Sequence, residues 1–211
     1  MSVLYLFDID GTLLHAHRSG KDAFDAVFAA QHGIADASAG IRYGGKTDPA
    51  IITEIFVARL GRPPTTEEIG AFLDAYLPLL HVRLAAAGVE VLAGVTATLD
   101  YLDTRADRVV LGVATGNIRP GAEAKLAAAK LAGRFVLGGY GCDSHVRAEL
   151  VARAIERGRE QRSVREVVVV GDTIHDIAAA RACGATVCAV ATGSDPADRL
   201  ADADVVFASM T

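Results

Sequence analysis

Short apolar runs recur along the chain, and each ends in a polar or glycine-containing turn. They are Val3–Phe7, Val109–Ala114, Val167–Val170, Val187–Val190 and the weaker Val205–Phe207, with Phe135–Leu137 as a sixth candidate. Each has the length of a strand, and most are rich in valine. Apolar runs without alternation imply strands buried on both faces, as in a parallel sheet. Helical periodicity separates them at Thr96–Asp103, Ala122–Ala132, Glu149–Arg157 and Ile174–Cys183. From about residue 90 onward the alternation predicts an α/β fold with a doubly wound, mostly parallel sheet.

The stretch from His15 to Val89 reads differently. It contains no strand pattern. Its apolar positions recur at helical spacing: Ala23, Val27 and Ala30; Ile51, Ile55 and Val57; then Ile69, Phe72, Leu73, Tyr76, Leu77 and Leu80. Gly33, Gly44, Gly45, Gly61, Pro63, Pro64 and Gly88 punctuate it. Roughly 75 residues of mostly helix is too long for a crossover between neighbouring strands. The expected organisation is a core of residues 1–14 and 90–211, with residues 15–89 forming an all-helical insertion after the first strand.

Composition narrows the chemistry. The 211 residues are 51% hydrophobic, enough for a sizeable core, and the net charge is −5. No cluster of lysine and arginine marks a nucleic-acid or anionic-membrane surface. The odd cysteine count (Cys142, Cys183, Cys188) and the absence of Cys-x-x-Cys spacing argue against a disulfide scaffold or a zinc site. Val3–Phe7 is too short for a signal peptide core, and no stretch is expected to reach the ~20 apolar residues of a membrane span. These features point to a soluble, cytoplasmic protein.

Three predicted strand ends carry candidate chemistry, where ligands bind in open α/β sheets. The first strand runs into Asp8-Ile9-Asp10-Gly11-Thr12-Leu13. Two carboxylates two residues apart repel, so the pair calls for a cation or a shared proton. The strand Val167–Val170 runs into Gly171-Asp172-Thr173-Ile174-His175-Asp176, with two more carboxylates around a helix start. Ordinary capping accounts for either acidic residue alone. Acidic groups at two strand ends together suit a magnesium ion, which prefers oxygen ligands. At the end of Val109–Ala114, Thr115-Gly116-Asn117 offers a hydroxyl, an accessible amide and a side-chain amide just before a helix start near Pro120. Such a turn favours phosphoryl oxygens.

This set resembles the haloacid dehalogenase superfamily of phosphohydrolases. Asp8-x-Asp10-Gly11-Thr12 is similar to its first motif, Thr115 to its second, and Asp172 with Asp176 to its fourth. The helical insertion is similar to the cap of phosphoglycolate phosphatase-like members. The resemblance covers essentially the whole chain and implies a Rossmann-like core under a helical cap. One departure stands out. The third motif is usually a lysine before a proline, and no Lys-Pro occurs here; Arg147 is the substitute cation by position. An arginine fork does not reproduce the geometry of an ammonium. Lys125 and Lys130 are expected to be surface or packing residues of a helix.

The resemblance also implies a mechanism and roles. Asp8 is the nucleophile that forms an aspartyl-phosphate, and Asp10 is the general acid and base. Mg²⁺ is held by Asp8, the Asp10 carbonyl and Asp172, with Asp176 binding directly or through water. Thr115, Gly116, Asn117 and Arg147 hold phosphoryl oxygens. Carbon–halogen dehalogenases lack a carboxylate at the Asp10 position, because halide needs no proton, so Asp10 favours phosphate chemistry. The turn Gly44-Gly45-Lys46-Thr47-Asp48-Pro49 resembles a turn in caps of this kind, with Lys46 and Thr47 as candidate substrate contacts; capping by Thr47 or Asp48 is the plainer role. His15 and His17 are placed at the hinge. The expected partner is a small phosphorylated metabolite, with phosphoglycolate one candidate, and the expected state is monomer or homodimer. A phosphomutase using the same intermediate and a weakly active regulatory protein are the alternatives. A signalling receiver domain would need neither the insertion nor Asp10.

Overall fold

A computed structural model describes residues 1–211. In chain order the elements are β1 (Ser2–Phe7), β2 (Leu14–His15), α1 (Ser19–His32), α2 (Asp48–Leu60), α3 (Thr66–Ala87), β3 (Glu90–Val91) and α4 (Val95–Asp103). There follow β4 (Val109–Ala114), α5 (Arg119–Ala128), β5 (Leu137–Gly139), α6 (Arg147–Gln161), β6 (Val164–Gly171), α7 (Ile174–Ala182), β7 (Thr186–Val190) and β8 (Val205–Phe207). Six strands form one parallel sheet in the order β5-β4-β1-β6-β7-β8. The expected doubly wound α/β fold, with helices inserted after the first strand, is the one observed.

The apolar runs form strands because both sheet faces are covered. Leu4 and Leu6 point to one face, where they are buried with Leu150, Ala154, Ile177 and Ala180 of α6 and α7. Phe7 points to the other and joins a larger core that continues into Phe24, Phe28, Phe56, Phe72 and Tyr76 of the inserted helices. Thr47 caps α2 through its side chain, and Thr65 with Glu68 forms a reciprocal capping box on α3.

Some boundaries differ from the expected ones. The helix expected at Ala122–Ala132 runs Arg119–Ala128: Pro120 sits in its first turn, and Lys130 has a positive φ of 58° beyond its end. The strand expected at Phe135–Leu137 lies at Leu137–Gly139. Leu14–His15 pairs antiparallel with Glu90–Val91 where the chain enters and leaves the helical insertion. Two residues are too few to show a period, so this ribbon left no signal in the sequence. The expectation that no stretch reaches membrane-span length is also corrected: the 22-residue α3 is long and apolar enough by composition. Its buried residues, Phe72, Tyr76, Leu80 and Leu84, recur every four positions as an amphipathic stripe.

Candidate active site

The central position of β1 assembles the site. Phe7, the last residue of β1, is in register with Val113 of β4 and Val170 of β6, and those two strands run one residue further. The first residues beyond the three strands, Asp8, Thr115 and Asp172, emerge at the carboxyl edge of the sheet. Asp8, Asp172 and Asp176 are buried, and each has an oxygen within 4.8 Å of the others. Burial raises the pKa of Asp172 to about 8, reinforced by the neighbouring Asp8 and Asp176 charges. Burial likewise raises Asp8 to about 6, opposed by Arg147. Three crowded carboxylates held away from water demand positive charge.

Local folding aims each group. The Thr12 hydroxyl donates to Asp172 Oδ1 at 3.0 Å, and the Ser194 amide donates to Oδ2 at 2.7 Å. Gly11 and Gly193 pack so closely on this carboxylate that a Cβ on Gly193 would lie 1.9 Å from Oδ2. Asp176 caps α7 by accepting from the amide and hydroxyl of Thr173 through Oδ2. Its Oδ1 receives Arg147 Nε at 2.9 Å and Nη2 at 2.6 Å.

Arg147, in the first turn of α6, also lies 3.1 Å from Asp8 Oδ1. The guanidinium is buried. Burial alone would lower its pKa, but the Asp176 and Asp8 charges outweigh that and leave it raised. The structure therefore brings Arg147, the residue expected as the substitute cation, to the carboxylate trio.

The Asp10 carboxylate lies outside that trio. Its Oδ2 accepts from Lys125 Nζ at 2.6 Å and from Asn117 Nδ2 at 2.8 Å. Here the sequence-based expectation for Lys125 fails. Lys125 is buried and lines the cavity, because it falls on the inward face of α5 with Ile118, Ala122 and Ala129. Lys130 lies beyond the end of α5 and is exposed. Asn117 bonds Asp10, Thr115 and Lys125, so its amide organises neighbours. Thr115 Oγ1 accepts from Asn117 Nδ2 at 2.8 Å and from the Asn117 amide at 3.3 Å, which leaves its own proton to donate elsewhere.

The turn before α2 closes over this edge. The Asp48 amide donates to the Gly116 carbonyl at 2.8 Å, and Asp48 Oδ2 accepts from the Ile118 amide at 2.8 Å. A Cβ on Gly116 would lie 2.0 Å from the Lys46 carbonyl, so only glycine allows this approach. Between the sheet edge and the helices lies a cavity of about 560 Å³. Asp8, Asp10, Thr115 and Arg147 line its floor, and Phe24, Tyr43, Ile51 and Tyr76 line its roof. Gly116, Asn117, Lys46, His15 and His17 also line it. Lys46 is ion-paired with Glu54. Thr47 is buried as the cap of α2 and does not line the cavity.

The sequence pattern of the haloacid dehalogenase-like hydrolases matches residues 5–190, which includes the strand ends that carry Asp8, Thr115 and Asp172. The chain belongs to this family. No curated protein sequence matches it. Solved structures share its fold. CbbY from Rhodobacter sphaeroides in complex with phosphate superposes with a TM-score of 0.76 at 19% identity, covering 100% of this chain and 95% of that one. A putative haloacid dehalogenase-like hydrolase from Bacteroides fragilis gives 0.74 at 22% identity, covering 100% and 98%. A putative β-phosphoglucomutase from Bacteroides vulgatus gives 0.72 at 19% identity, covering 100% and 84%. The chain is thus a hydrolase-family enzyme by descent, and its fold is shared with proteins described as phosphatases and phosphomutases.

Three contributors to this family site escaped the sequence analysis. Lys125 left a signal, since its position falls within the buried stripe of α5. The Ser194 amide follows β7, a further parallel strand whose end meets the same edge, and that placement could have drawn attention to it. Asp48, expected at most to cap a helix, reaches the Ile118 amide across 70 residues of sequence, and no local pattern reports such a contact.

Proposed function

We propose that the protein is a Mg²⁺-dependent phosphatase that hydrolyses a small phosphate monoester through an aspartyl-phosphate on Asp8. Residues 15–89 form the cap that encloses the substrate. The observation that carries this is the division of labour between two carboxylates on one strand end. Asp8 faces Arg147 within the acidic trio, whereas Asp10, two residues on, is held by Lys125 and Asn117. This division supports Asp8 as the nucleophile beside an anion-binding group and Asp10 as the group that serves the leaving oxygen.

The donor set fits a hard divalent ion. Three buried carboxylates supply only oxygen ligands and carry more negative charge than Arg147 cancels. Asp8 and Asp172 would hold the ion directly, with the Asp10 carbonyl, and Asp176, already bonded to Arg147 and Thr173, would hold it through water. The bound ion would supply charge neutralisation between the nucleophile and the phosphoryl oxygens.

The steps rest on this chain's own residues. The Asp8 carboxylate attacks phosphorus and the P–O ester bond breaks. Asp10 delivers a proton to the departing alkoxide, giving the alcohol. The Thr115 hydroxyl proton, the Gly116 amide and Arg147 stabilise phosphoryl charge. Water then attacks the acyl phosphate, Asp10 recovers a proton from it, and inorganic phosphate leaves with Asp8 regenerated. The aromatic roof excludes bulk water and sets the size of the alcohol. Lys46 would contribute to substrate binding only by exchanging Glu54 for a substrate anion. Phosphoglycolate is within the size range, as are other small esters, in a cytoplasmic setting that suits three free cysteines.

The test is phosphate release from a panel of small esters, with Mg²⁺ or with a chelator. Release that requires the metal supports a phosphatase. Turnover that appears only with a bisphosphate activator, transferring rather than releasing the phosphoryl group, would favour a phosphomutase. No turnover in either format would contradict catalysis.

A further inference from the structure

We propose that Lys125 is a positioning residue that locks both the acid–base group and the phosphoryl-binding hydroxyl in working orientation. This rests on the reading of Asp10 as the group that protonates the leaving oxygen. Lys125 belongs to none of the segments that resemble family motifs. Its ammonium is buried and spends two of its three donors on Asp10 Oδ2 (2.6 Å) and Asn117 Oδ1 (2.7 Å).

The consequence for Asn117 is forced by chemistry. An amide nitrogen cannot face an ammonium, so Oδ1 must point to Lys125 and Nδ2 must point away. Both Nδ2 protons are then committed, one to Asp10 Oδ2 at 2.8 Å and one to Thr115 Oγ1 at 2.8 Å. Asp10 is gripped through Oδ2 alone, by two donors, while no protein group donates to Oδ1. The carboxylate is thus fixed with one oxygen free on the cavity side. Thr115 Oγ1 is held as an acceptor, so its proton is free for the phosphoryl group. A single ammonium sets the rotamer of Asp10, the flip of Asn117 and the proton direction of Thr115.

Lys125→Met keeps the length of the side chain and removes the donors. Asn117 then loses its reason for one flip, and Asp10 loses one of its two anchors. Loss at Thr115 affects every ester alike. Loss at Asp10 matters only where the leaving group needs a proton. Wild type and Lys125→Met are compared on an alkyl phosphate and on p-nitrophenyl phosphate, whose phenolate leaves without help. The kcat on the alkyl ester is expected to fall at least tenfold further than on the aryl ester, with KM little changed. Equal losses on both substrates would overturn the assignment, because the contact with Asp10 would then have no bearing on protonation of the leaving group.

A thermal double-mutant cycle with Asp10→Asn reads the same link without turnover. Asp10→Asn is expected to lower the melting temperature of wild type, because it strands a buried lysine, and not to lower that of Lys125→Met. Additive shifts would also overturn the proposal. If wild type releases no phosphate while the cycle is non-additive, the phosphatase reading fails and the Lys125–Asp10 link stands.

Discussion

Replacing Arg147 with methionine isolates the charge it supplies. The side chain fills similar space, but Asp8, Asp172 and Asp176 are left within 4.8 Å of one another with no buried cation between them. Breaking one partner out of a buried ion pair costs about 3–5 kcal/mol. For a protein of this size each kcal/mol moves the melting temperature by about 2–4 °C, so metal-free Arg147→Met should melt roughly 6–20 °C below wild type at pH 8. The loss should depend on pH, and the sign follows from linkage. Without Arg147, Asp8 loses the charge that opposes its raised pKa, so its folded pKa moves further above its unfolded one. A group raised in this way contributes its stability below the unfolded pKa and loses it as pH rises through the folded pKa. The gap between variant and wild type should therefore be small near pH 4 and widen as pH rises through and above the wild-type value of Asp8, about 6. Divalent ion should restore more stability to the variant than to wild type, and turnover should fall at least tenfold. Scanning calorimetry with chelator and with Mg²⁺ at several pH values tests this. A variant that melts with wild type at pH 8, or one whose deficit is the same at pH 4, would refute the assignment of Arg147 as counter-charge to the trio.

Two further outcomes follow from the contact between the helical insertion and the sheet edge. Gly116→Ala would put a Cβ 2.0 Å from the Lys46 carbonyl, so the turn before α2 must withdraw; KM should rise and kcat should fall at least tenfold, with the melting temperature changed much less, and unchanged kinetics would mean that closure there is not needed. Burial raises the pKa of Asp48 from 3.8 to about 6, opposed in part by Lys125. Ionising this carboxyl inside the fold therefore costs about 3 kcal/mol at most, a loss that develops as pH rises from about 4 through 6. Asp48→Asn should be more stable than wild type at pH 8 and no more stable at pH 4, as read by thermal melts with chelator; a gap that does not vary with pH would show that Asp48 is not held against its charge.

Valine-rich runs announced the sheet because a parallel sheet covered on both faces tolerates no polar alternation, and Leu4, Leu6 and Phe7 obey that rule. Asp8, Thr115 and Asp172 were legible for the same reason: each is the first polar residue after such a run, and strands in register bring those positions together. Contacts made across the fold were harder to see. Lys125 looks like any helix lysine until its neighbours Ile118, Ala122 and Ala129 are known to face inward. Thr47 was a candidate substrate contact by the resemblance of its turn to one in family caps, and helix capping, the plainer role, is the use its hydroxyl finds. Arg147 was chosen by position alone, and only the approach of α6 to α7 shows that its fork bridges Asp8 and Asp176. The β2–β3 ribbon was invisible because two-residue strands have no pattern to read.

Covalent catalysis by Asp8 is tested most directly by intact-protein mass spectrometry of acid-quenched enzyme during turnover of a phosphate ester with Mg²⁺. Wild type should show a transient species heavier by one phosphoryl group, labile to hydroxylamine and mapping to Asp8 by peptide analysis. Asp8→Asn should show none and release no phosphate. Phosphate release from Asp8→Asn at a rate near wild type, or a phosphoryl group mapping to another residue, would contradict the mechanism.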